Sequence, residues 1–212
     1  MNGFLIAVLA AVMGWFAVGS VLNVRRGHAA LRWMQEGLRL VGGRTTVRWL
    51  GTTSVELVIA KAQAPFSQVK LVVFLEPRDV PWLWAVTRRR GRRDTLIVNA
   101  QLVRPPAQEL EVLDRRSWSG REALRRARGE RWSVREPAAA GGLEVLYKYD
   151  AALPLADSLV ALAAGTGVIV RRLSLRRDGA QLQLHVDLPS APRSAAEFFA
   201  RLRAIGDRAA QG

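Results

Sequence analysis

Residues 3–24 read GFLIAVLAAVMGWFAVGSVLNV and carry no charged side chain. An α-helix rises about 1.5 Å per residue, so this stretch would extend for roughly 33 Å, and the hydrocarbon core of a bilayer is about 30 Å thick. Half of the stretch is Leu, Ile, Phe or Val, and each of these side chains favours insertion into a membrane. The stretch therefore predicts one transmembrane anchor helix at residues 3–24, with the rest of the chain folding beside the membrane.

A cleaved secretory signal is the alternative interpretation, because the segment from Ala17 to Ser20 contains small side chains suited to cleavage. No Lys or Arg precedes the apolar stretch, which is also longer than the usual apolar core of a signal, about 7 to 15 residues. Arg25 and Arg26 follow the stretch directly. These features favour a signal-anchor that is retained.

The arginines on the C-terminal side of the anchor predict its orientation. Arg25 and Arg26 begin a region, up to Leu50, in which several arginines are opposed only by Glu36. Positive flanks remain on the cytoplasmic side of a membrane. We therefore expect a single-pass protein of the cell membrane, with its N-terminus outside and residues 25–212 in the cytoplasm.

Composition limits the chemistry of the chain. Its 212 residues are 50% hydrophobic, which is enough to build a core, and they include no cysteine. His28 and His185 are the only histidines, so most zinc, haem and Cys- or His-nucleophile sites lack their ligands and bases. The 32 Lys and Arg residues exceed the 18 Asp and Glu residues and leave a formal charge of +14, which favours anionic lipid or nucleic acid as a partner.

The segment after the anchor predicts two further regions. Apolar residues spaced by three and four predict an amphipathic juxtamembrane helix at residues 25–43, either continuous with the anchor or broken at Gly27. Residues 44–212 are expected to form a cytoplasmic domain. The stretch AAAGG suggests a possible internal boundary near residues 137–142.

Alternating apolar residues predict the strands of this domain. The predicted strands are residues 45–50, 54–61, 68–75, 95–103, 109–113 and 143–149. Asp178-Gly179 predicts a hairpin that pairs Leu175 with Leu182 and Leu173 with Leu184. The other face of this hairpin holds Arg172 opposite His185, and we expect that face to be solvated and the arginine to disfavour protonation of the histidine.

Three helices complete the prediction. They begin at Ser119, with Glu122 in a capping box, at Pro154, and at Ala195, with Ser194 as the N-cap. Phe198 and Phe199 in the last helix are expected to pack against the sheet. The fold class is therefore α+β: one N-terminal transmembrane helix, then a mainly antiparallel or mixed β-sheet flanked by helices.

The segment DVPWLWAVTRRRGRRD, residues 79–94, is the main candidate site. Tryptophan side chains settle at the depth of lipid headgroups, and arginines near the surface attract anionic lipid. We therefore predict a second contact with the anionic inner leaflet, in the plane of the membrane. The residues assigned to this contact are Trp82, Trp84, Arg88, Arg89, Arg90, Arg92 and Arg93, together with Arg25 and Arg26 beside the anchor.

Two other interpretations of this segment stay open. Arginine also neutralises phosphate and tryptophan can stack on an unpaired base, which would indicate a nucleic-acid surface. Alternatively, the arginines form a solvated loop and the tryptophans fill the core. The arginine-rich helix at residues 121–131 either extends the same surface or is simply exposed.

No motif indicates an enzyme. Asp79 and Asp94 flank the arginine cluster and are expected to be its ion-pair partners, whereas Glu109 and Glu111 are expected to point to solvent. A phosphate-binding glycine loop, a nucleophile elbow and an HExxH motif are absent from the sequence. We therefore assign no catalytic, cofactor or metal residue, and expect no cofactor.

These observations favour a membrane-anchored, non-catalytic interaction or scaffold protein. Its expected partners are the lipid bilayer and a membrane protein of unidentified kind. The first alternative is a membrane-tethered nucleic-acid-binding protein. The second is an enzyme with unassigned carboxylate chemistry.

Overall fold

The computed structural model describes residues 2–135, 143–179, 181–189 and 194–211. Helix α1, Asn2–Gln35, is uninterrupted. The predicted anchor and most of the predicted juxtamembrane helix are therefore one element, without a break at Gly27. α1 is long and apolar enough to cross a membrane, as a signal sequence also would be. The possible boundary near residues 137–142 lies outside the described residues.

The rest of the chain forms a nine-stranded antiparallel sheet with helices on both faces. The strands are β1 Thr45–Trp49, β2 Ser54–Ile59, β3 Phe66–Phe74, β4 Thr95–Leu102, β5 Leu110–Asp114, β6 Ser133–Arg135, β7 Leu143–Tyr147, β8 Val170–Leu175 and β9 Leu182–Asp187. The helices are α2 Pro81–Arg89, α3 Trp118–Gly129, α4 Leu153–Ala164 and α5 Ala195–Gln211, with short 3-10 helices at Leu38–Leu40 and Asp150–Ala152. The strand order is β1-β2-β3-β4-β9-β8-β5-β7-β6.

One face of the sheet is apolar across eight strands. Because alternate side chains of a strand point to the same face, the paired positions form a continuous row. The row runs through Val47, Leu57, Leu71, Val98, Leu184, Leu173, Val112 and Val145. The C-terminal part of α1, together with α4 and α5, packs against this face, where Phe198 and Phe199 are fully buried as predicted.

The other face is polar in the middle and is partly covered by α3. Leu113 and Leu146 pack with α3 in a small second core. Glu111, Arg172 and His185 lie on this face and are all buried. The predictions that this face is solvated and that Glu111 points to solvent are therefore wrong, because alternation along a strand cannot reveal that elements from other parts of the chain cover the face.

Local signals predicted most elements. The hairpin pairs Leu175 with Leu182 and Leu173 with Leu184, and Arg172 lies opposite His185, as expected. Ser194 Oγ accepts a hydrogen bond from Glu197 N at the start of α5. At the start of α3 the cap is Ser117, whose Oγ accepts from Gly120 N, and not the predicted Ser119. Helix α2 and strand β6 were not predicted.

Candidate membrane interface

Helix α1 runs alongside the strands and shows which end of the sheet is nearest to its apolar part. Gly27 lies against the ring of Trp49, close to the β1–β2 turn, and Gly42 lies against Ile59 at the other end of β2. Residues earlier in α1 therefore lie beyond the β1–β2 turn. We call this end of the sheet the anchor-proximal end, and the opposite end the distal end. The anchor-proximal end comprises residues 50–53, 75–94, 115–119, 165–169 and 188–189.

The segment after β3 is in direct contact with the apolar part of α1. A Cβ atom built on Gly19 would lie 2.3 Å from the carbonyl oxygen of Arg78 and 2.5 Å from Cα of Asp79. Trp15 Nε1 donates to the same Arg78 carbonyl at 2.9 Å. Only glycine allows the two backbones to approach this closely. The domain is therefore joined to α1 within the predicted anchor, at residues 15–23.

A partly buried ionic network, centred on the buried carboxylate of Asp94, holds this contact together. Asp94 accepts from both terminal nitrogens of Arg78 at 2.9 Å and from Arg26 Nε at 3.1 Å. Arg78 Nη1 also donates to Oδ1 of Asn23 at 3.2 Å. Burial alone would raise the pKa of Asp94, but the hydrogen bonds from Arg78 and from Glu76 N outweigh it and lower that pKa. The carboxylate is thus charged and joins α1, the segment after β3, and β4.

This network corrects one prediction. Asp94 pairs with Arg78 and Arg26, not with the cluster that begins at Arg88. Asp79 accepts a hydrogen bond from Thr52 Oγ1 at 3.1 Å. Neither Arg78 nor Asn23 was singled out in the sequence. The amide of Asn23, placed near the end of an apolar stretch, was the signal that could have indicated a contact there.

Helix α2 has a side that binds the domain and a side that does not. Trp84 Nε1 donates to Glu76, and Arg88 Nη1 donates to both oxygens of Glu76 at 3.0 and 3.1 Å. Because positions four apart share a helix face, Trp84 and Arg88 both lie on the inner side. The outer side exposes Trp82 at 64%, with Leu83 and Val86 at 44% each.

Further apolar side chains are exposed at the same end of the sheet. They are Leu50 in the β1–β2 turn, Trp118 at the start of α3 and Ile169 before β8. Single exposed apolar residues are ordinary on soluble proteins, but several at one end together with α2 form an unusual concentration. At the distal end, Val103 and Tyr149 are also exposed.

The structure divides the residues predicted to contact lipid into three groups. Trp82, Arg89 and Arg25 are exposed, the first two on α2 and the third on α1. Arg90, Arg92 and Arg93 follow the end of α2 and line a cavity over the polar face of the sheet. Trp84, Arg88 and Arg26 are engaged in contacts within the domain.

The carboxylates of the described residues that are most deeply buried are engaged in ion pairs with arginines. In the described ranges, no group of three or more His, Asp or Glu side chains is close enough to hold a metal ion. Burial alone would raise the pKa of Glu111, but Arg172 and Arg176 bind its carboxylate and lower that pKa. No known protein family matches the chain, and no curated protein is similar to it in sequence.

Proposed function

We propose that this chain is a membrane-anchored, non-catalytic interaction or scaffold protein that rests on the inner leaflet. Helix α1 crosses the membrane, residues 25–212 lie in the cytoplasm, and the anchor-proximal end of the sheet lies in the lipid headgroup layer. The domain then offers its remaining surfaces to a membrane protein partner.

One observation carries the membrane contact. The segment that packs on Gly19 continues directly into α2, whose exposed side chains Trp82, Leu83 and Val86 begin only three residues after Asp79. The start of helix α2 therefore lies at nearly the same depth as residues 15–19 of α1. An amphipathic helix at this depth has a tryptophan and aliphatic side chains on the side that the domain leaves free, which is the arrangement of an interfacial helix.

The length of free anchor supports the same depth. Residues 3–18 of α1 are exposed along their whole length, and they extend for about 24 Å, less than the roughly 30 Å of the hydrocarbon core. On the side of α1 that faces away from the domain, exposed apolar residues continue through Val21, Leu22 and Val24. A bilayer that covers this longer stretch also reaches the segment at residues 78–80 and the start of α2.

Spin labels test the membrane contact on the full chain. The sequence lacks cysteine, so a single introduced cysteine carries a nitroxide at a known place. We choose Val86→Cys on α2 and, as the matched control, Val103→Cys, an exposed valine at the distal end. In nanodiscs, the label at position 86 should collide mainly with lipid-soluble oxygen and the label at position 103 mainly with a water-soluble nickel chelate. Equal access of the nickel chelate to both labels would refute the contact.

The orientation needs a separate measurement. Arg25 and Arg26 adjoin the apolar stretch, which favours a cytoplasmic location for the domain. A reporter fused after Gly212 should be active only in the cytoplasm. Activity of that reporter only outside the membrane would overturn the orientation without bearing on the depth of α2.

A further inference from the structure

A cavity of about 410 Å³ lies at the anchor-proximal end, on the polar face of the sheet, away from α1. Its floor includes Phe74 and Ile97, and its rim includes Trp118 at the start of α3. The volume is in the range of small-molecule sites, which are typically about 300 to 1,000 Å³. Residues after the end of α2 form the opposite wall.

His185 lines this cavity and has an unused polar atom. Its side chain is more than nine-tenths buried, and Nε2 has no hydrogen-bond partner among the described residues. Buried polar atoms are nearly always hydrogen-bonded, so an unpaired one at the wall of a cavity indicates a missing partner. Burial, and then the charge of Arg172, lower the pKa of His185 to about 4 against the opposing effect of Glu111. The imidazole is therefore neutral near pH 7 and has one N–H to donate.

The charge of the wall indicates what kind of partner fits. Arg90, Arg92 and Arg93 line the cavity, and none of the three forms an ion pair within the described part of the chain. Arg171 also lines it but is neutralised by Asp187 and Asp114. Arg93 Nη1 donates to the carbonyl oxygens of Arg88 and Arg92, which leave its charge in place. Three guanidinium groups whose charge is not neutralised by a carboxylate of the described residues favour a ligand with more than one negative charge. The N-terminus of α3, capped by Ser117, opens at the same place and adds to the positive potential.

We propose that this cavity binds the phosphate of a phosphomonoester, with Arg90, Arg92 and Arg93 around the phosphate oxygens and His185 Nε2 donating to one of them. A phosphomonoester carries between one and two negative charges at neutral pH and has three terminal oxygens, whereas a monocarboxylate carries one charge. Arginine binds such groups through two parallel N–H donors. The apolar floor and Trp118 would contact the organic part of the ligand.

Two sources can supply this group. The cavity opens at the end of the sheet nearest to the anchor, where the headgroup of a phospholipid with a terminal phosphate is within reach. A soluble phosphomonoester from the cytoplasm carries the same chemistry. The site does not depend on the proposed membrane contact, because a soluble phosphate enters it whether or not α2 touches lipid.

Because the sequence contains only two histidines, binding at His185 can be followed directly by nuclear magnetic resonance. In the full chain with isotope-labelled histidine, the side-chain resonances come from His185 and from His28 in α1, whose ring lies 5.2 Å from that of Trp49 in a tilted arrangement. Inorganic phosphate and glycerol 3-phosphate are titrated into protein in phosphatidylcholine nanodiscs. In a second arm the nanodiscs contain phosphatidic acid, whose headgroup is a phosphomonoester, or phosphatidylglycerol, an anionic phosphodiester, as the control for charge.

We expect saturable movement of the His185 resonances and none of His28. Movement by the soluble phosphates identifies a soluble ligand, and movement only by phosphatidic acid identifies a lipid headgroup. Arg92→Gln should weaken the response roughly tenfold or more, as loss of a charged hydrogen bond does. Arg104→Gln makes the same charge change at an exposed residue at the distal end and should leave it intact.

Three results would overturn the site. They are an unmoved His185 with every probe, an equal response to phosphatidic acid and phosphatidylglycerol without any response to the soluble phosphates, and an unchanged response in Arg92→Gln. If Arg92→Gln does not fold, Arg90→Gln replaces it with the same expectation. A positive result with soluble phosphate would stand even if the spin labels showed α2 to be free of lipid.

Discussion

Glu111 is the buried charge on which the polar face of the sheet depends. Its side chain is fully buried, and Arg172 donates to it at 2.9 and 3.0 Å from a side chain that is 7% exposed. Arg176 contacts the same carboxylate at 2.8 Å and also covers the ring of Trp132. Removing one partner of such a pair leaves the other charge buried without an opposite charge. The free energy lost in this way is larger than the net free energy that the intact pair contributes.

We therefore predict that Glu111→Gln destabilises the protein by about 3 to 5 kcal/mol, measured by chemical unfolding in detergent. Glu122→Gln is the control, because Glu122 pairs with Arg125 on the exposed side of α3. Exposed pairs contribute roughly 0 to 1 kcal/mol, so this change should be nearly silent. Equal effects of the two substitutions would contradict the burial of Glu111.

His185 makes stability depend on pH in a defined direction. Its pKa is lowered from 6.5 to about 4 in the folded protein, so the unfolded chain binds the proton more readily. The resulting stability is fully present above about pH 6.5, declines as the pH falls, and is lost at about pH 4. The total is roughly 3 kcal/mol. Arg172, Glu111, Arg171 and Asp187 are the charged groups close to the imidazole.

The corresponding prediction compares the full chain with His185→Gln between pH 7 and pH 4. The free energy of unfolding of the unchanged protein should fall more steeply over this window, by roughly 3 kcal/mol in total. Carboxylates such as Asp94 contribute to both proteins and cancel in the difference. Parallel pH profiles would show that His185 is not held neutral.

The cross-strand pair of Arg172 with His185 and the ion pairs of Asp94 show what the sequence can and cannot predict. The Asp178-Gly179 turn correctly placed Arg172 opposite His185, because the hairpin register follows from the turn. The burial of both residues could not be predicted, since it depends on segments distant in sequence, such as α3, which packs against β5 and β8. Asp94 illustrates the same limit: its partners Arg26 and Arg78 come from α1 and from the segment after β3, so neighbouring charges suggested the wrong pairing.

At the scale of elements, the contact between α1 and the segment after β3 depends on one glycine. A side chain at Gly19 would collide with the backbone of Arg78 and Asp79, whereas Gly14, in the same apolar helix, has no atom within 4 Å of its Cβ position. Both glycines lie among side chains suited to lipid. Their substitution therefore separates the effect of steric contact from that of hydrophobicity and helix propensity.

We predict that Gly19→Leu loosens this contact and Gly14→Leu does not. Forcing atoms into a packed contact typically costs about 1 to 3 kcal/mol. Hydrogen exchange followed by mass spectrometry should show faster exchange at residues 76–80 in Gly19→Leu, because these amides lose their packing against α1. Equal protection of this peptide in both variants would show that α1 and the segment are not docked as described.

The elements that were predicted well have strong local signals. Alternating apolar residues indicated β2 and β4, and the N-cap Ser194 indicated the start of α5. Helix α2 has only nine residues, begins with a proline and buries none of them completely, so its pattern is too short to identify. Strand β6 has three residues at the edge of the sheet. Such short elements form because a neighbouring part of the fold packs or pairs with them, and the local sequence does not identify that neighbour.

At the scale of the whole molecule, the proposed membrane anchoring would couple the depth of the domain to the thickness of the membrane through α1. The predicted anchor and the residues Ala30 and Met34, which belong to the core, lie on the same uninterrupted helix. It also meets the segment after β3 at Gly19, so the domain cannot slide along it. The free length of about 24 Å is shorter than a typical hydrocarbon core of about 30 Å. The sequence predicted a helix long and apolar enough to span a membrane, as the structure shows, but not its contact with the segment after β3, which depends on the docking of distant segments.

A series of bilayers of increasing acyl-chain length tests this coupling. As the bilayer thickens, a rigidly attached domain is drawn further into the headgroup layer, because a short anchor cannot lengthen and local thinning relieves only part of the mismatch. A nitroxide at Val86→Cys should therefore lose contact with a water-soluble nickel chelate and gain contact with oxygen along the series. The label at Val103→Cys should remain in water throughout, since Val103 lies at the distal end. Constant nickel access at position 86 in every bilayer would mean that the domain moves independently of its anchor.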